Sequence, residues 1–131
     1  MKPVLHVGID IGSTTVKVAA LSPYLKLVFG RYARHMSDIR HATEALLSEL
    51  QQTFPGYRIT ASVSGSGGMG LSQLMGLPFC QEILAETKAI RTFHPETDII
   101  IELGGEDKKI TYLRGSVDQR MNGACAGGTG A

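Results

Sequence analysis

An apolar strand that ends on a carboxylate and breaks at glycine occurs twice in this chain, once near each end, and the repetition limits the folds open to it. Gly8-Ile9-Asp10-Ile11-Gly12 is followed by Ser13, Thr14 and Thr15, and Ile101-Glu102-Leu103-Gly104-Gly105 by Glu106 and Asp107. In each turn glycine lets backbone N–H groups face a ligand unobstructed, and at the first turn three hydroxyls add donors. Such turns suit phosphate. One alone can also be an ordinary hairpin with polar turn residues, though phosphate is the better reading; two imply a nucleotide held between similar halves. Only one half fits in 131 residues. The expectation is therefore the front of a two-lobed protein, with a first lobe over 1–95 and the start of a truncated second lobe over 96–131.

The order of elements agrees with that expectation. Val4 to Ile9, Thr15 to Leu21 and Leu27 to Arg34 read as strands, and links as short as Gly12-Ser13 and Ser22-Pro23-Tyr24 force antiparallel neighbours. The period then changes. Ile39, Ala42, Leu46, Leu47, Leu50 and Phe54 share one helical face, with Ser37 and Asp38 as caps and Pro55-Gly56 as the stop. A strand from Arg58 to Ser64 follows, then a glycine-rich loop from Gly65 to Gly70 and a short helix from Leu71 to Met75. A further helix runs from Gln81 to Phe93, with Ile83, Leu84, Thr87 and Ile90 inward. Strands from Asp98 to Glu102 and Lys108 to Leu113 restart the pattern, and Ser116 to Met121 adds a third. Three antiparallel strands, helix, strand is the front of a ribonuclease H-like α/β layer with a mixed sheet, followed here by the first hairpin of a second layer.

Composition excludes several function classes. Thirteen Lys and Arg stand against 12 Asp and Glu, without a basic stripe or an acidic tail, so neither nucleic acid nor an anionic membrane is an expected partner. There is no signal-peptide pattern and no long unbroken apolar run, which makes the cytoplasm the expected compartment. Cys80 and Cys125 are too far apart for a paired zinc motif, and His6, His35, His41 and His94 lack metal-ligand spacing. Those histidines read as solvated or hydrogen-bonded structural residues, and Cys80, beside Pro78 and Phe79, as a small packed hydrophobe.

The chemistry falls on few residues. Asp10, at a strand end, suits a catalytic carboxylate that holds magnesium through water or orients an attacking water; Gly12, Ser13, Thr14 and Thr15 suit phosphate; Lys17 is in reach of a phosphate. At the second turn Gly104 and Gly105 are the phosphate-facing glycines, and Glu106 and Asp107 the acids for magnesium or the lytic water. No Gly-Lys-Ser/Thr triplet occurs, which excludes a Walker A loop. Gly65-Ser66-Gly67-Gly68-Met69-Gly70 satisfies G-x-G-x-x-G, but Ile90 stands where a dinucleotide site needs an acid, so a glycine loop lining a cleft is the better reading. Cys125, in the small-residue run Asn122-Gly123-Ala124-Cys125-Ala126-Gly127-Gly128-Thr129-Gly130, is sterically open and is a candidate metal or redox ligand.

Together the Gly8–Thr14 segment, the Gly104-Gly105-Glu106-Asp107 turn and the Cys125 run resemble the activators of 2-hydroxyacyl-CoA dehydratases and the related ATPase subunits of benzoyl-CoA reductase. The resemblance covers the whole chain but about the first half of such a protein. It implies an ATPase of the actin-like superfamily, homodimeric when full length, with one four-iron four-sulfur cluster bridging the subunits and Cys125 as an iron–sulfur ligand. It also implies ATP and Mg2+ as cofactors and electron transfer to a CoA-ester dehydratase or reductase, with reduced ferredoxin or flavodoxin as donor. Departures are visible: such proteins usually carry Asp where Glu102 stands and Gln where Glu106 stands, and an arginine near Met69. The Gln81–Ala89 stretch lacks a Cys-His pair and is more similar to long, multidomain activases.

Two other classes fit the first turn. A sugar or small-metabolite kinase of the same superfamily would need a substrate-side aspartate and no Cys125, and a non-catalytic domain would bind nucleotide without turnover. The chain alone is expected to hydrolyse ATP weakly or not at all.

Overall fold

A computed structural model describes residues 2–104, 108–114 and, as backbone, 118–121. The chain divides into two compact units, Met1–Cys80 and Gln81–Ala131. The divide falls ahead of residue 95, where the sequence reading puts the lobe boundary.

In the first unit, β1 (Val4–Ile11), β2 (Thr15–Leu21) and β3 (Leu27–Arg34) form an antiparallel meander, and β4 (Arg58–Ser64) lies parallel to β1, giving the order β3-β2-β1-β4. Alternation decides which face is buried. Leu5, Val7, Ile9 and Ile11 of β1, with Val16, Val18 and Ala20 of β2, point to one side and are almost fully removed from water. Burying each large aliphatic side chain contributes roughly 1.5–3 kcal/mol. Helix α1 (Ile39–Thr53) covers this face with Ala42, Leu46 and Leu50, while Ile39, Leu47 and Phe54 pack at its margin. Thr43 is also buried there, its hydroxyl donating to the Ile39 carbonyl at 2.7 Å. The opposite face, with His6, Gly8, Lys17 and Ala19, is exposed. Helix α2 (Gly68–Met75) follows β4 and ends on Gly76, which holds the left-handed C-cap angle.

In the first unit two boundaries differ from the sequence reading. β1 runs on to Ile11 because Ile11 still pairs with Val16, which shortens the hairpin loop. Helix α2 starts three residues earlier than Leu71, because the Gly67 N–H bonds to the Ile11 carbonyl and the Gly68 N–H to the Gly65 carbonyl, closing the loop at once.

The second unit contains α3 (Glu82–Phe93) and a second antiparallel meander of β5 (Ile99–Leu103), β6 (Lys108–Tyr112) and β7 (Asp118–Met121), in that order. Thr87 is buried on α3 and Ile83 and Ile90 are half-buried, but Leu84, expected inward, is exposed. Its position lies on the outer margin of the helical stripe. Among the described residues no helix is long and apolar enough to cross a membrane. The α/β, ribonuclease H-like order expected from the sequence is what the structure shows.

Candidate functional site

Asp10 stands at the carboxyl end of β1, where two neighbouring strands deliver partners to it. Antiparallel pairing sets Asp10 opposite Lys17, and parallel pairing sets it opposite Ser64. The Ser64 hydroxyl donates to Asp10 Oδ1 at 3.0 Å, and Lys17 Nζ lies 3.4 Å from Oδ2. The ion pair is loose and Lys17 is more than half exposed, so it contributes at most about 1 kcal/mol. Two carboxylate oxygens with one neutral donor and one loose cation keep lone pairs for a hydrated metal ion.

Beyond Asp10 the chain turns through Gly12, Ser13 and Thr14. The Gly12 N–H donates to the Thr15 carbonyl at 2.9 Å, closing the hairpin. No backbone bond within the described residues takes up the N–H groups of Ser13 and Thr14, and both residues are exposed. Those groups and their hydroxyls are the donors an anion needs.

The glycine loop expected to line a cleft packs directly on this hairpin. Gly65 holds φ +95°, and a side chain there would collide with the Ile11 carbonyl and lie 2.8 Å from Asp10 Oδ1. The Gly67 N–H bonds the Ile11 carbonyl at 3.0 Å, and a Cβ on Gly67 would meet Ile11 Cγ2 at 2.8 Å. Glycine is required here by close approach, not by a dinucleotide. Asp10, Gly12, Ser13, Thr14, Thr15 and Lys17 thus fall within one corner of the first unit.

In the second unit the register repeats: Glu102 pairs with Lys109 across β5 and β6, as Asp10 pairs with Lys17. Glu102 meets two acids of α3, with oxygens of Glu82, Glu86 and Glu102 within 4.8 Å of one another. Lys109 Nζ reaches Glu82 at 2.9 Å. A hydrogen bond shared with Glu86, helped by burial and by the Glu86 charge, pushes Glu102 up to about 7; burial likewise raises Glu82, with Lys109 opposing. The described part of the second turn ends at Gly104. Gly105, Glu106, Asp107 and Cys125, named from the sequence, lie outside the described residues.

Sequence reasoning missed Ser64, Glu82, Glu86 and Lys109. The seven-residue step from acid to lysine, Asp10 to Lys17 and Glu102 to Lys109, was visible in the chain. Ser64 was not, since only the parallel pairing of β4 brings it to Asp10.

With two meanders, each opened by an acid at a glycine turn, the architecture can be placed. The fold is the ribonuclease H-like one that the element order predicts, and solved structures share it. No protein-family profile matches the chain. An uncharacterised protein of Methanocaldococcus jannaschii is 28% identical over 131 residues, covering 94% of this chain and 50% of that protein. Among solved structures, the activator of 2-hydroxyisocaproyl-CoA dehydratase from Clostridium difficile with bound ADPNP superposes with a TM-score of 0.72 at 23% identity, over 90% of this chain and 45% of that one. The (R)-2-hydroxyglutaryl-CoA dehydratase component A of Acidaminococcus fermentans gives 0.74 at 20% identity, over 94% and 49%. The chain spans about half the length of each.

Proposed function

We propose that this chain is the N-terminal part of an ATP-dependent activator, which couples ATP hydrolysis to low-potential electron transfer into a CoA-ester dehydratase or reductase. The observation that carries the nucleotide reading is the corner at Asp10: exposed Ser13 and Thr14 N–H groups beside a carboxylate held by Ser64 and Lys17. The likeness to a dehydratase activator holding an ATP analogue supports it. In this reading 1–95 is the first lobe and 96–131 opens the second, with Gly104 and Gly105 facing the phosphates from that side.

Gly12, Ser13, Thr14 and Thr15 bind phosphate, Lys17 neutralises it, and Asp10 orients water or the hydration shell of a magnesium ion. Magnesium, when bound, supplies charge neutralisation at the β and γ phosphates. Glu106 and Asp107 are proposed to position the lytic water. The iron–sulfur role of Cys125, the homodimer and a ferredoxin or flavodoxin donor rest on sequence resemblance.

Two experiments test the reading. Titrating the chain with Mg-ATP should shift the Ser13 and Thr14 amide resonances, and Asp10→Asn should abolish the magnesium dependence; unmoved amides at saturating nucleotide would remove the nucleotide reading. In the whole protein Cys125→Ser should lose iron and partner activation while keeping nucleotide binding. Retained iron would remove Cys125 as a ligand, and an unsubstituted protein that holds no iron would favour a kinase-like protein.

A further inference from the structure

The turn between β3 and α1 is built around one side chain. Met36 and Ser37 both hold left-handed backbone angles, φ 49° and 65°, which are unfavourable for residues with a Cβ. This path brings the Ser37 N–H back onto the ring of His35, where it donates to Nδ1 at 3.1 Å. The Asp38 N–H donates to the His35 carbonyl at 2.6 Å and tightens the same turn. The other ring nitrogen, Nε2, lies 3.1 Å from the carbonyl oxygen of Gly12. A carbonyl only accepts, so Nε2 carries the proton; Nδ1 accepts from Ser37 and so carries none. Both contacts select one tautomer, and the residue is 8% exposed, so water is a poor substitute partner.

His35 also holds the hairpin through its backbone, its N–H donating to the Thr14 carbonyl at 3.0 Å. In a trans peptide the C=O and the following N–H point in opposite directions. With the Gly12 and Thr14 carbonyls both drawn toward His35, the N–H groups of Ser13 and Thr15 are turned away from it. We propose that His35 is the positioning residue of the phosphate hairpin: its Nε2–H holds the Gly12 peptide so that the Ser13 N–H faces outward, toward the anion. The inference rests on the reading of this hairpin as a phosphate site and adds the residue that shapes it. His35 itself touches no ligand. It acts by removing the alternative in which the Gly12 carbonyl, rather than an N–H, faces the anion.

The test uses the full 131-residue chain and two variants. His35→Phe keeps the ring volume and removes the donor, whereas His35→Gln offers an amide N–H in place of Nε2–H. Losing one such bond should weaken Mg-ATP, read from the Ser13 and Thr14 amide shifts, by about tenfold. The glutamine variant should recover most of that loss. In the ligand-free chain the Ser13 amide should move in His35→Phe and return in His35→Gln, which a purely packing role would not produce. Nitrogen-15 couplings of the unmodified ring should report the Nε2–H tautomer. Equal affinity in a folded His35→Phe variant, or an Nδ1–H tautomer, overturns the proposal. If the unmodified chain ignores Mg-ATP, the nucleotide reading falls; the placement of His35 is then decided by the ligand-free Ser13 amide, which sinks it by staying still. If neither variant folds, the tautomer decides.

Discussion

At the scale of single residues, the glycines of 65–70 show why one motif can demand opposite things of its members. Gly65 has φ +95° and no room for a Cβ between the Ile11 carbonyl and Asp10, so Gly65→Ala combines backbone strain with a collision against main chain. The expected loss is roughly 3 kcal/mol in urea denaturation, with Asp10 displaced as well. Gly70 lies inside α2 with nothing within 4 Å of a built Cβ. Gly70→Ala should therefore stabilise by about 0.5–1 kcal/mol, since alanine gives up less backbone freedom on entering a helix. Equal effects of the two substitutions would mean that the glycine loop does not pack on the hairpin. The sequence shows that these glycines matter and leaves open what each one meets. Its G-x-G-x-x-G spacing says nothing of which glycine meets Ile11, because that contact comes from the parallel pairing of β4 with β1.

At the scale of elements, local signals that one segment can satisfy alone were legible. Asp38 caps α1, its carboxylate accepting from the His41 N–H at 3.1 Å, as the cap-and-periodicity reading expected. Asp38→Ala should cost about 1 kcal/mol by urea denaturation. Less legible was α3, where Leu84 sits on an apolar spacing yet faces solvent, and where nothing local marks Glu82 and Glu86 as neighbours of Glu102. Their role depends on what the second meander sets against them, which no window of the sequence contains. Glu102 is raised from 4.5 to about 7, first by its hydrogen bond with Glu86 and then by burial. A raised carboxyl means the folded chain binds the extra proton, so its contribution is whole below about 4.5 and is lost as pH climbs through about 7. Above that, Glu86 and Glu102 are like charges side by side, and Lys109 is the cation that offsets them. Solvent screening holds the effect to about 1 kcal/mol. Glu102→Gln should flatten the fall in urea midpoint between pH 5 and pH 8; an unchanged slope would show that the carboxyl does not titrate in that window.

At the scale of the whole molecule, the two meanders share a register but not a surface. Each sets an acid opposite the lysine seven residues on, and this repetition was readable from the sequence as a recurring acid beside a glycine turn. Their outward faces could not be read the same way. In the first unit the central strands of the uncovered face are small and polar, with His6, Gly8, Lys17 and Ala19, and Val28 and Tyr32 of β3 stand at its edge. In the second, Ile99, Ile101 and Leu103 alternate along β5 on one exposed face, and Tyr112 of β6, paired with Ile99, joins them. Alternation states which residues share a side; whether that side is covered depends on what packs there. An apolar surface of this kind attracts hydrophobic probes more strongly than a face whose central strands are small and polar. The chain should therefore enhance the fluorescence of a hydrophobic dye while fully folded, and Ile101→Lys should remove most of that enhancement. Because Ile101 is 66% exposed, the substitution should leave folding stability within about 0.5 kcal/mol. Leu27→Lys, at an equally exposed position on β3, is the control and should leave the dye signal nearly intact. Enhancement that survives Ile101→Lys but falls with Leu27→Lys would move the exposed apolar surface to the first unit. A large stability loss in Ile101→Lys would mean that this side chain is packed rather than open.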